Sequence, residues 1–249
     1  MTIENPRAWQ SVLSHIENRL DTGELQQGDH LPAERTLAAE LGVARSSVRE
    51  AMRVLEVMGM LRTQTGSGPQ SGTKIITHPT GGFQSLMRLQ VAGGGFPVAD
   101  VVETRLILEA AVVSALAQRV RNHHIDSPDL QSAGELLDAM DRPTLSRAEF
   151  LAFDALFHCA LAESTGNSVI AATMAGIRSA IERYVRIGAE TIADWSAMAE
   201  RLREEHRSII AAVLAGDEAE ARTRIQTHIT DYYRDCMSGS LSNTISRQP

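Results

Sequence analysis

The chain has 249 residues, enough for one large domain or two ordinary ones at about 150 each, and its 43% hydrophobic and 22% charged composition excludes a disordered or fibrous protein. With 24 basic against 31 acidic side chains the net charge is −7, which argues against coating nucleic acid by bulk charge but leaves room for a small basic reading surface. No apolar run approaches the roughly 18 residues of a membrane span, the start MTIENPRAWQ lacks a secretory pattern, and Cys159 and Cys236 fit a reducing compartment, so a cytoplasmic location without membrane partners is expected.

Apolar residues recur at helical spacing over most of the chain, so the expected fold class is mostly α. Three helices are predicted near residues 8–22, 33–41 and 44–58. Two β-prone runs, 61–65 and 73–77, flank a Gly/Ser/Pro tip and read as a hairpin. This order is that of a winged helix-turn-helix domain over residues 1–77. The prolines and glycines that follow mark a linker with a short helix over 78–97. A second domain, an all-α bundle over 98–237, is predicted as six helices near 98–121, 127–140, 147–164, 168–189, 195–215 and 218–237. Ser127 with Pro128, the Ser146 to Glu149 capping box, and Gly216 with Asp217 supply its start and stop signals. The polar residues 238–249 are expected to form a flexible tail.

In the first domain Leu37, Ala38, Leu41, Val43, Val48, Ala51, Met52 and Leu55 form the apolar face of two packed helices, and Gly42 allows the turn between them. Arg45, Ser46, Ser47 and Arg49 then fall at the start of the third helix, where side chains meet base edges and phosphates. The competing reading pairs Arg35 and Arg49 with Glu34 or Glu50 on solvated faces. The segment from Leu31 to Ala51, LP-x-ER-x-LA-x-x-LGV-x-R-x-x-VREA, closely resembles the signature of the GntR family of bacterial transcription regulators. The resemblance implies DNA contacts at Arg35, Arg45, Ser46, Arg49 and the wing glycine Gly66. The wing tip GSGPQSG departs from the family in being a few residues longer. Residues 1–77 hold eight basic and nine acidic side chains, so affinity must come from placement of charge. One such domain binds weakly, which predicts a homodimer on a palindromic site in double-stranded DNA.

In the second domain Asp154 and His158 lie four apart on one predicted helix and leave the same face about one turn apart. His206 and His228 sit mid-way along two later helices with mainly apolar flanks. One carboxylate and three imidazoles suit a divalent metal, zinc first and then nickel or manganese, although interior histidines also occur as hydrogen-bonded core residues. This half resembles the FCD ligand-binding domain of the FadR-like GntR subfamily, through DVVETRLILE, the D-x-x-x-H at Asp154, Gly166 with Asn167, and the two later histidines. The resemblance implies that Asp154, His158, His206 and His228 bind metal and that Arg105 faces a small carboxylate effector.

Within the family the chain looks most like the lactate-responsive, LldR-type repressors of actinobacteria, which makes L-lactate the first choice of effector and gluconate or uronates the next. For Arg105 the competing reading is a solvated pair with Glu103 or Glu109. Four further side chains, Arg178, Arg183, Tyr184 and Arg186, fall near the same bundle without an assignable face. The expected protein is therefore a regulator, not an enzyme. Its rivals are a metal-responsive regulator and a metal-dependent hydrolase fused to a DNA-binding domain. The second lacks any recognisable base beside the ligands.

Overall fold

The computed structural model of the protein describes residues 7–64, 72–76, 80–122, 130–190 and 192–245. It divides into two compact units, Met1–Ser85 and Leu86–Pro249.

The first unit holds α1 (Ala8–Asp21), α2 (Glu34–Leu41), α3 (Arg45–Val57) and a hairpin of β1 (Leu61–Gln64) and β2 (Gly72–Ile75). The helices exist because one stripe of each is apolar. Val12 and Ile16 of α1, Leu37 and Ala38 of α2, and Val48, Ala51 and Met52 of α3 close on Leu61 and Ile75 of the strands, and Leu41, Val43 and Leu55 pack at its margin. Gly42 ends α2 at φ 63°, a left-handed conformation glycine adopts without strain, and the Val43 amide donates to the Ala38 carbonyl. This turn sets α3 across α2. The hairpin is antiparallel, in register from Leu61 opposite Ile75 to Gln64 opposite Gly72. The segment before α2 pairs with its outer edge, Leu31 donating to Thr73 and Ile75 donating to Asp29. The wing tip, with Gly66, lies outside the described residues.

Next comes α4 (Thr80–Ala92), the helix expected in the linker, and the division between the units falls within it. The second unit is a bundle of α5 (Val98–Arg121), α6 (Gln131–Met140), α7 (Arg147–Ser164), α8 (Ser168–Ala189), α9 (Trp195–Leu214) and α10 (Glu218–Ile245). Local signals set these boundaries. Ser146 and Glu149 form the reciprocal capping box of α7, and the Asn167 side chain accepts from the Val169 and Ile170 amides at the start of α8. Gly216, at φ 70°, turns the chain out of α9, and Asp217 accepts from the Glu220 amide. The start signal at Ser127 and Pro128 lies outside the described residues. One expectation is corrected: α10 runs to Ile245, past the stop expected near 237. Residues 238–245 contain no proline, and the single Gly239 costs only about 1 kcal/mol against a helix already nucleated.

α5 is the axis of the bundle, packing along α10 and also against α7, α8 and α9. Residues buried on it, among them Val101, Val102, Arg105, Glu109, Val112, Val113 and Leu116, follow a helical period, so an arginine and a glutamate are carried inward on a mainly apolar stripe. That placement creates the polar centre of this unit.

Candidate functional site

In the first unit four of the five sequence-predicted DNA contacts are described, and all four lie at the surface. Arg35, Arg45, Ser46 and Arg49 are all exposed, the last three on the first turns of α3. Two α3 arginines, Arg45 and Arg49, lean on one acid of α2. Arg49 donates to Glu34 Oε2 at 3.2 Å, and Arg45 approaches the same oxygen at 4.0 Å. The solvated pairing weighed from the sequence is thus present for Arg49, and it leaves the guanidinium at the surface.

In the second unit α7 presents Asp154 and His158, α9 presents His206 and α10 presents His228, all buried. One potential ligand atom from each lies within 4.8 Å of the others. Their spacing follows from the bundle: residues four apart on α7 share a face, and α9 and α10 each turn one histidine of an apolar stripe to meet it. His206 Nε2 is 3.1 Å from Asp154 Oδ1, and the Nε2 atoms of His158 and His228 are 3.3 Å apart. At their other nitrogens, His228 Nδ1 is 2.8 Å from Glu205 Oε2, and His158 Nδ1 is 2.5 Å from Glu109 Oε2, a close contact bent away from hydrogen-bond geometry. Neither ring nitrogen of His206 has a hydrogen-bond partner among the described residues.

Arg105 lies beside this group rather than on a solvated face. Its Nε donates to Glu109 Oε1 and its Nη1 to the Tyr184 hydroxyl, both at 2.6 Å, while Nη2 is buried without a partner among the described residues. The electrostatics are those of a dry site. Burial lowers the His206 pKa to about 4, with Asp154 opposing, and so keeps the ring neutral. For Glu109 burial acts to raise the pKa, but the charge of Arg105 and then His158 outweigh it and hold the carboxyl at about 2. Asp154 is likewise held below the usual carboxylate range, burial being more than offset by His206 and the other two histidines. Arg105 is raised despite burial, chiefly by Glu109.

The sequence reading missed Glu109 as an interior group, as well as Tyr184 and Glu205. Glu109 and Tyr184 were findable, because each falls in register with the apolar stripe of its helix. Arg178 is half-exposed beside Glu182 and Arg186 is exposed. The side chain of Arg183 lies outside what the structure describes. Both cysteines are buried, and burial pushes Cys159 up to about 12, so it is an unreactive packing residue.

Comparison with known proteins decides the class. Residues 100–231, just over half of the chain, match the FCD domain, and residues 9–70 match the bacterial regulatory proteins of the gntR family. The chain is a GntR-family transcription regulator with an FCD domain. The regulator is 28% identical over 219 residues, 88% of its own length and 82% of the relative's, to an Escherichia coli K12 protein named for the L-lactate dehydrogenase operon it is assigned to regulate. It is 28% identical over 232 residues to the transcriptional regulator LutR of Bacillus subtilis, covering 91% of this chain and 99% of that one. It is 29% identical over 226 residues to the repressor NanR of Klebsiella aerogenes, covering 88% and 81%. Among solved structures, Streptococcus agalactiae GntR is 26% identical with a TM-score of 0.61, covering 92% of this chain and 99% of that one. The chain is therefore a DNA-binding regulator with an effector domain, not an enzyme. Among the described residues no helix is long and apolar enough to cross a membrane.

Proposed function

We propose that this regulator represses transcription in the cytoplasm as a homodimer on a palindromic operator, under control of a small carboxylic acid bound beside a divalent metal in its FCD domain. Arg35, Arg45, Ser46, Arg49 and Gly66 contact the operator. Asp154, His158, His206 and His228 hold the metal, and Arg105 grips the acid.

The observation that carries this reading is the convergence of one carboxylate and three imidazoles, all of them buried. Carboxylates stand at the Nδ1 atoms of His158 and His228, their Nε2 atoms face each other at 3.3 Å, and His206 adds a neutral ring with no hydrogen-bond partner among the described residues. A cation satisfies all of them at once. Charge agrees: Arg105 against Glu109 and Asp154 leaves the buried set one negative charge. A divalent ion reverses that sign, and a monocarboxylate then neutralises it. Nitrogen and oxygen donors with positions left open suit zinc first, then nickel or manganese. When bound, the ion supplies a Lewis-acid contact for the acid's oxygens. The chain itself supplies the Nη2 of Arg105, a charge-assisted donor oriented by Glu109 and Tyr184. L-lactate fits an anion that also bears a chelating hydroxyl, and the assignment of the Escherichia coli relative to an L-lactate dehydrogenase operon supports it.

The test strips the protein of metal and titrates Zn²⁺ and L-lactate, separately and together, against its binding to a duplex selected from random sequence. L-lactate is expected to weaken DNA binding by about 5- to 150-fold, and only in metal-loaded protein. A full response to Zn²⁺ alone would make the protein a metal sensor instead. A response to gluconate or a uronate but not lactate would move the effector to the sugar acids.

A further inference from the structure

Three histidines face the candidate metal position, and each is backed differently. Behind His228 stands Glu205, 23% exposed and shared with Arg201 at 3.3 Å. That acid opens onto a groove lined by Ser208, Thr227 and Arg224. Behind His206 stands nothing that bonds to it among the described residues. Behind His158 stands Glu109, whose side chain is 3% exposed and whose second oxygen is already held by Arg105. Arg105 is fixed in turn by the Tyr184 hydroxyl. The contacts thus run in an unbroken buried line from Tyr184 through Arg105 and Glu109 to His158.

We propose that Glu109 is a positioning residue that ties the acid-gripping arginine to the metal: it orients His158 and strengthens its Nε2 as a ligand, and it does so only while Arg105 holds it in place. The inference rests on the metal reading above. A carboxylate at the remote nitrogen of a ligand histidine fixes the ring and raises its basicity, and losing such a partner commonly costs about 10- to 100-fold in metal affinity. Glu109 is closed off from solvent, so whatever disturbs the guanidinium disturbs the carboxylate. An anion arriving at Nη2 therefore acts on the metal by two routes, through its own oxygens and through Glu109. Glu205 backs His228 in the same way but sits at the solvent edge, where water substitutes for it.

The experiment uses Co²⁺ as the probe on the full-length, metal-stripped protein. Its dissociation constant is read by competition with a chelator, and its ligand-field absorption reads the geometry at the ion. Glu109→Gln is expected to weaken Co²⁺ binding by about 10- to 100-fold and to change the absorption, with Glu205→Gln well below that effect. Arg105→Lys, which touches no ligand, is expected to weaken Co²⁺ by about threefold or more, and that effect should vanish in the Glu109→Gln background, as groups acting in one network require. Glu109→Asp keeps the charge opposite Arg105, and so the fold, while shortening its reach. It should preserve thermal stability yet shift the Co²⁺ absorption. Wild type that takes up no Co²⁺ overturns the metal reading and this proposal with it. If wild type binds Co²⁺ while Glu109→Gln and Glu109→Asp match it in affinity and absorption, or if the Arg105→Lys effect survives without Glu109, the proposal alone is overturned.

Discussion

The two units each contain an arginine paired with a glutamate, and the pairs lie in opposite surroundings. In the first, Arg49 and Glu34 are 52% and 33% exposed and meet at 3.2 Å. In the second, Arg105 and Glu109 are 4% and 3% exposed and meet at 2.6 Å. Water competes for the first pair at every moment and salt screens it, so its members are available to a phosphate or a base. The second pair has surrendered its hydration and is held only by the protein, so neither member can leave without stranding the other. A reading surface needs charges that exchange partners cheaply. A site that must register one bound anion needs charges that cannot.

The largest expected effect breaks the buried pair. Arg105→Ala leaves Glu109 ionised in the core and should cost roughly 3–5 kcal/mol of folding stability, read by denaturant titration. Arg49→Ala should leave the same titration unmoved. Equal losses in the two variants would erase the contrast. For that reason Arg105→Lys is the cleaner probe of the acid pocket: it keeps the charge and removes the fork. A smaller effect comes from the metal. If Asp154, His158, His206 and His228 hold it across α7, α9 and α10, Zn²⁺ at a hundredfold excess over Kd should stabilise the stripped protein by about 2.7 kcal/mol. His206→Ala should abolish that gain in a calorimetric melt.

The same contrast explains what could be read in the sequence. The first unit was legible in detail, because helix periodicity, the Gly42 turn and a dense family signature act within a few residues of one another. On α7, Asp154 and His158 were legible as a face for the same reason. That His206 and His228 meet them depends on the packing of α9 and α10, which no local spacing specifies, and the resemblance supplied it. Glu109 was missed as an interior group because charges four apart on a helix usually pair in water. Here Val101, Val102, Val112, Val113 and Leu116 share their register, and the stripe faces inward. The end of α10 was misplaced because a run of small polar residues reads as a stop, whereas an established helix continues through it.

At the surface, Arg45→Ala should weaken binding to the selected duplex by about 5- to 150-fold while the melting temperature stays at the wild-type value. The loss should differ between base-substituted duplexes if the guanidinium reads a base, and be uniform if it grips a phosphate. Near-native affinity at fixed salt would remove Arg45 from the interface.

The smallest expected effect sharpens the comparison most. Glu34 holds Arg49 and lies within reach of Arg45, so on the proposed reading it occupies the place of the phosphate or base edge those arginines would meet. DNA binding is then an exchange of partners: the arginines give up Glu34 and take up the duplex, and the net gain is the difference. Because the pairs are solvated, the difference is small, and Glu34→Gln should tighten binding to a random-sequence duplex by no more than about fivefold at low salt. The gain should fade as ionic strength rises and the carboxylate is screened. Discrimination between the selected duplex and random DNA should fall in the same variant, because a competitor for the arginines penalises poorly matched sites most. Fluorescence anisotropy with both duplexes across a salt series measures all three quantities. If Glu34→Gln instead weakens binding to the selected duplex at every salt concentration, the acid orients the arginines for the bases rather than withholding them, and the exposed pair is held to one geometry as firmly as the buried one.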